Sequence, residues 1–300
     1  LFLEERYTHG DVPTGLVHST GVDLAPTDRL NFGANIDVGT LRDPQTGAEL
    51  ERRAAGVRAG YGFETLKIAS AVEYRVDDSE QADASTVKRT TWLFKNSLKY
   101  QMSPDWRLLG KFNHANSESS QGQFFDGNYT EGVVGFAYRP VSHDRLNALL
   151  KYTYFYNVPA VDQVSTVGSG ADVIQRSHIF AVDAMYDLTP RWTVGGKYAY
   201  RRGEVSQDRE DPDFFSSRAH LYVLRADWHF LHRWDALLEA RMLDLPDAKD
   251  QLSGALIGLY RHFGKHIKLG AGYNFSKFSD DLTDLNYDHK GLFINLIGKM

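Results

Sequence analysis

The sequence predicts an all-β protein: a closed antiparallel transmembrane β-barrel of about sixteen strands, with fourteen or eighteen as the alternative counts. Three observations predict it. Polar and apolar residues alternate with a period of two along most of the chain, the alternating segments are too long for an ordinary soluble sheet, and tight turns alternate with longer polar links.

Successive residues of a strand point to opposite sides, so a sheet with two different faces writes a period of two into its sequence. Between Arg191 and Arg201, Trp192, Val194, Tyr198 and Tyr200 fall on one side, and Arg191, Thr193, Lys197 and Arg201 on the other. Between His266 and Ser276, Ile267, Leu269, Ala271, Tyr273 and Phe275 oppose His266, Lys268, Asn274 and Ser276. The same rhythm sets Leu66, Ile68, Val72 and Tyr74 against Lys67, Glu73 and Arg75, and Leu146, Leu150 and Tyr152 against Arg145, Asn147 and Lys151. Such runs last about 10 to 14 residues, whereas a globular strand has about 5 or 6 and a strand crossing lipid at a tilt needs roughly 9 to 11. The opposing side is too charged for the core of a sandwich. The apolar side therefore meets lipid, and Ile68, Leu150, Val194, Tyr198, Ile267 and Leu269 are expected to face it.

Turn-forming Pro, Asp, Ser and Gly mark short links at Pro26–Asp28, Phe63–Glu64, Ser103–Asp105, Val141–Asp144, Thr189–Pro190, Leu231–His232 and Gly264–Lys265. Longer polar links lie between them, at Leu41–Leu50, Asp77–Lys88, Ser117–Gly127, Val158–Asp172, Gly203–Phe215, Pro246–Asp250 and Ser279–Asn286, with Gly10–Pro13 as a short first loop. Barrels of the bacterial outer membrane are built this way, with short turns toward the periplasm and longer loops outside. Counting from a first strand at Leu1–Thr8 to a last at Tyr287–Met300 gives an even number, which puts both termini in the periplasm and pairs the first strand with the last. Trp106, Trp192, Trp234 and Phe63 beside short turns, with Trp92 and Trp228 near, suit an interfacial girdle.

Bulk properties agree. The chain has 300 residues, no cysteine, 26 Gly, 16 Tyr and 17 Phe, and a mean hydropathy of -0.42. No apolar run approaches the roughly 18 residues of a membrane helix. A net charge of -5 gives no basic field for nucleic acid. No signal-peptide pattern precedes the first strand, so residues 1–300 are expected to be one barrel domain, alone or as the C-terminal part of a longer protein.

The segments Trp234–Arg241, Gly254–His262, Gly270–Phe275 and Tyr287–Met300 together resemble the C-terminal barrels carried by long, multidomain surface proteins of Gram-negative bacteria. That resemblance implies a membrane anchor or export barrel with further domains N-terminal to it. One departure stands out: the chain ends Leu296-Ile297-Gly298-Lys299-Met300, without the terminal aromatic of the insertion signal. Either the signal is relaxed or the chain continues.

No phosphate-binding Gly-rich loop, His-Glu-x-x-His or Gly-x-Ser-x-Gly motif occurs, so no enzyme, cofactor or metal is expected. Scattered histidines leave an outer-membrane enzyme as the weakest alternative. The acidic stretches Asp208–Asp213 and Asp280–Asp284 carry the oxygen ligands Ca²⁺ takes but no EF-hand spacing, and suit solvated loops better. The informative residues are the cations assigned to the inner side: Arg29, Arg58, Lys67, Arg75, Lys95, Lys99, Arg107, Lys111, Arg145, Lys151, Lys197, Arg201, Arg225, Arg241 and Lys268. The acids assigned there are fewer: Asp37, Glu73, Glu131, Asp183, Asp227 and Glu239. This balance suggests a pore for small hydrophilic solutes with a mildly basic lumen, in which no link is long enough to form a plug. The expected partners are outer-membrane lipid and lipopolysaccharide, the barrel-insertion machinery and any N-terminal domains.

Overall fold

The computed structural model describes residues 2–8, 14–42, 49–80, 86–123, 126–158, 174–208, 211–264, 267–279, 282 and 290–298. Sixteen antiparallel strands form one sheet in strict chain order. They are β1 (Phe2–Thr8), β2 (Thr14–Leu24), β3 (Leu30–Arg42), β4 (Glu49–Gly62), β5 (Leu66–Glu80), β6 (Thr86–Gln101), β7 (Trp106–Ser119), β8 (Gly127–Tyr138), β9 (Leu146–Val158), β10 (Ile174–Thr189), β11 (Trp192–Ser206), β12 (Phe215–Leu231), β13 (Trp234–Leu245), β14 (Asp250–Phe263), β15 (Ile267–Asn274) and β16 (Gly291–Gly298). No α-helix occurs among the described residues; a 3-10 turn, Val141–His143, sits between β8 and β9.

Hairpins arise where hydroxyl side chains close the short links. Thr27 Oγ1 accepts from the Leu30 amide at 3.0 Å, Ser103 Oγ from the Trp106 amide at 3.2 Å, and Thr189 Oγ1 from the Trp192 amide at 3.1 Å. Each copies part of a backbone turn with a side chain, so a two-to-five-residue link holds its register.

The strands run from 7 residues in β1 to 17 in β12, and β5, β6, β10, β11 and β12 are longer than the pattern predicts. Sequence expected loops from Asp77, Ser117 and Gly203, yet β5, β7 and β11 continue through these points. Ion pairs explain the difference. Arg52 grips Asp77 through Nε at 2.8 Å and Nη2 at 2.9 Å, next door Arg53 meets Asp78 on the opposite face, and Arg176 meets Glu204. Charge on both faces erases the alternation without ending the ladder. In the other direction, 246–249, expected as a long link, is a tight turn with Lys249 at φ 52°, and β16 begins at Gly291 rather than Tyr287. The links expected at 10–13, within 41–50, within 77–88, at 158–172 and across 280–286 lie largely outside the described residues, as does 209–210 of the acidic stretch.

Register sorts the side chains cleanly. Ile68 faces Tyr61 and Leu98, Leu150 faces Phe136 and Val182, and Leu269 faces Arg261 and Leu296 across the ladders. This apolar face is open: Ile36 is 62% exposed, Leu224 71% and Ile257 50%. Rings band it at both ends. Trp192 stacks on Trp228 at 5.2 Å and Trp106 packs on Tyr138 at 4.6 Å near the short turns, while Tyr74 meets Trp92 at 4.8 Å and Tyr200 meets His220 at 4.9 Å toward the other end. The accessible surface is 18900 Å², against roughly 13,000 Å² for a compact soluble protein of this mass. The surplus is the signature of a sheet that buries neither face in a second layer.

The outermost strands carry the most open apolar side chains of all, Leu3 at 74% on β1 and Leu292 at 84% and Ile294 at 78% on β16. Lipid cannot hydrate a free strand edge, so β1 and β16 are expected to pair in the membrane. A cysteine at Leu3 combined in turn with one at Leu292, Ile294 or Leu296 should form a disulfide at one position; absence of a cross-link at every position would mean that the edges stay apart.

Candidate functional site

Across the ladders the opposite, polar face gathers residues far apart in sequence. Lys67 stands directly across from Lys99, Lys197 across from Asp183, and Arg225 across from Glu239. The register brings Arg58, Lys67, Arg75, Lys95, Lys99, Arg107, Lys111, Lys151, Lys197, Arg201, Arg225, Arg241 and Lys268 to this one face. Arg29 and Arg145 do not stand in the strand wall: each lies in a link at the short-turn end, just before β3 and β9 begin.

Ion pairs engage at least six of these thirteen cations. The strand period places i and i+2 on one face, and that spacing couples Arg75 to Glu73 at 2.6 Å, Arg225 to Asp227 at 3.0 Å, and Arg241 to Glu239. Across strands, Lys111 Nζ lies 2.8 Å from Glu131, and Arg58 meets Asp23. Asp235 collects three donors from three strands: His229 of β12 at 2.5 Å, His262 of β14 at 2.7 Å and Lys268 of β15 at 2.6 Å. Asp23, Arg52, Asp77, Arg89 and Asp235 share this face and were missed by the sequence reading. Asp77 looked like loop, and two of the three partners of Asp235 lie on β14 and β15, remote from it in sequence. The excess of cations over acids is thus smaller than the sequence suggests.

A second departure is structural. The upper polar face of β10–β13 is not polar: Ile179, Ala181, Ala199, Ala219, Leu221, Val223 and Leu243 form one apolar patch. The segment after β15 folds onto it, burying Phe278 and Leu282 to 2% exposure each. Ser276 is fully buried on the way, against Gly254, where an added Cβ would stand 2.2 Å from Ser276 Oγ. The sequence reading expected no link long enough to form a plug; Phe278 and Leu282 cover one apolar patch of this face. Its signal was present in the sequence, since Leu221, Val223 and Leu243 break the polar side of the alternation where nothing else required it. Nearby, Arg201 is 3% exposed and makes a 3.4 Å bond to Gln175.

At the β13–β14 turn, Asp247 accepts from the Arg218 guanidinium at 2.6 Å, from the Arg218 amide at 2.7 Å and from Ser216 Oγ at 3.3 Å. The Arg218 guanidinium first, then its amide, hold the carboxyl down at about 2. Among the described residues, no group of three His, Asp or Glu is placed to hold a metal.

No family model and no curated protein matches the sequence. Solved structures similar to it include the ferric-catecholate import receptor Fiu from E. coli K12, with a TM-score of 0.63 at 7% identity over 88% of this chain and 58% of that one. The FrpB iron transporter from Neisseria meningitidis gives 0.59 at 9% identity, over 95% and 55%. The copper transporter OprC gives 0.57 at 8%, over 94% and 58%. The chain has the fold of outer-membrane β-barrels. It spans less than two thirds of the length of these structures.

Because the folded Asp247 carboxyl titrates below its ordinary 3.8, the contact it makes stabilises the turn above that pH and is lost as pH falls toward about 2. Pepsin, which is active through this range, should cut around 245–250 increasingly as pH drops from about 4 to about 2. Asp247→Asn should flatten that dependence; equal cleavage of both proteins at every pH would show that the contact does not hold the turn.

Proposed function

We propose that this chain is an outer-membrane barrel through which small hydrophilic solutes pass, with the polar face lining the bore and both termini in the periplasm. The observation that carries the reading is the two-sidedness of every well-patterned strand. Large apolar groups stand open on one face, and charged groups satisfied largely by one another stand on the other. Sixteen strands enclose a water-filled channel unless something occupies it. Phe278 and Leu282, packed on the apolar patch of β10–β13, narrow that channel from one side. The transport roles of the similar structures agree with passage of solutes as a class and do not select a cargo.

Anion preference follows from the cations that have no acidic partner among the described residues, including Lys67, Lys95 and Lys99 on β5 and β6, while acids elsewhere on the face are engaged by arginines. The preference is modest and salt-sensitive, because the Debye length is about 10 Å at 0.1 M. In a planar bilayer under a KCl gradient, the reversal potential should report weak anion selectivity. Lys95→Glu with Lys99→Glu should move it toward cations more than Lys111→Glu does, since Lys111 already faces Glu131. Cation preference in the unaltered protein would defeat the argument. No conductance at all would favour the anchor or export-barrel reading, with a filled lumen and further domains.

The membrane reading has its own test. Arg in place of Leu269 on the apolar face, if near mid-membrane, should destabilise the barrel by roughly 2–4 kcal/mol in lipid vesicles. A cost near zero would place that face elsewhere than in lipid.

A further inference from the structure

Lys67 and Lys99 are direct cross-strand partners on the polar face, at the end of the sheet where the short turns lie. Two like charges directly opposite one another destabilise a sheet, because their Cβ atoms stand only about 4.5–5.5 Å apart. Neither lysine has an ion-pair partner among the described residues. Asp28 lines the same region, while other acids of this face are engaged by other cations: Asp23 by Arg58, Glu73 by Arg75 and Glu131 by Lys111. Here the sequence keeps an arrangement that costs stability in the empty protein.

The same two lysines open into a concavity of about 330 Å³, and Arg29 in the link before β3 completes its rim. Asn31 and Ser97 add neutral donors, and Asp28 is the one acid in the lining. Three cations against one carboxylate leave a net charge of about two positive units. Fork-shaped guanidinium and mobile ammonium groups together suit a tetrahedral oxyanion, whose several oxygens can take a donor from each. We propose that Arg29, Lys67 and Lys99 form a binding site for a free phosphate-class oxyanion. The proposal rests on the reading that the polar face lines the bore, and it deepens that reading by naming a solute class. Tyr61 and Ile68 of the apolar face border the concavity, but its strand cations, Lys67 and Lys99, stand on the polar face, which favours a free anion over a lipid headgroup.

The test is titration calorimetry of the full chain folded in detergent micelles, with sodium phosphate as the probe and chloride as the comparison. Saturable binding is expected, weakening as salt rises. Lys67→Gln with Lys99→Gln should weaken it by about tenfold or more, since two charge-assisted contacts are lost. Lys88→Gln, at the far end of β6, should leave it unchanged. Thermal unfolding supplies an independent readout. Phosphate should raise the midpoint of the unaltered protein and not that of the double variant. Lys99→Gln alone should raise the midpoint without phosphate by relieving the repulsion. Absence of saturable phosphate binding, or binding equal in the double variant, would overturn the site. Displacement of phosphate by phosphatidylglycerol in the micelles would assign it to a headgroup and overturn the free-anion proposal. Binding in micelles needs no open bore, so phosphate binding with a silent bilayer would overturn only the pore reading, and conductance without binding only this one.

Discussion

Everything in this molecule depends on the unbroken antiparallel ladder. A backbone in hydrocarbon has no water to satisfy its N–H and C=O groups, so each strand must find both neighbours. The ladder runs through all sixteen strands in chain order, and this fixes the rest. Short links suffice because every neighbour in space is a neighbour in sequence. Faces separate because the ladder forbids a strand from turning over. Energy then comes from the environment on each side rather than from a packed interior, which explains why so few large side chains are fully buried.

Much of this was legible in the sequence because the period of two survives even when individual residues are ambiguous. Parity alone sets Ile68, Leu150 and Leu269 on the face opposite Lys67, Lys151 and Lys268, and the register does the same. The strand ends were less legible. Where Arg52, Arg53, Asp77 and Asp78 put charge on both faces, the pattern disappears although the hydrogen bonds continue, and composition then imitates a loop. The turn at 246–249 erred the other way, because Pro246, Asp247 and Lys249 look alike in a tight turn and in a longer excursion.

The polar face was legible as a set and not as a network. Parity finds thirteen of the fifteen assigned cations on it, but whether a charge is free depends on residues thirty or so positions away, as with Arg58 and Asp23. Some pairs could have been read directly, since Glu73–Arg75, Arg225–Asp227 and Glu239–Arg241 follow the strand period. The inward path of Phe278 could not be, because no local rule distinguishes an aromatic that leaves the sheet from one that caps it; only the matching apolar patch on β10–β13 does.

The junction at Asp235 has a further consequence. Alternation rejects a slip of one residue between strands, because every side chain would change face. It is blind to a slip of two, which returns each residue to its own side and merely shifts the strand ends. Tight turns resist such a slip at each junction from β12 to β15, and the contacts to Asp235 add a second restraint there. His229, Lys268 and His262 reach one carboxylate from β12, β15 and β14, so a two-residue slip at either junction would strand a charge inside the wall. A single acid thereby works as the alignment mark for four strands, supplying positional information that the hydrophobic pattern cannot encode.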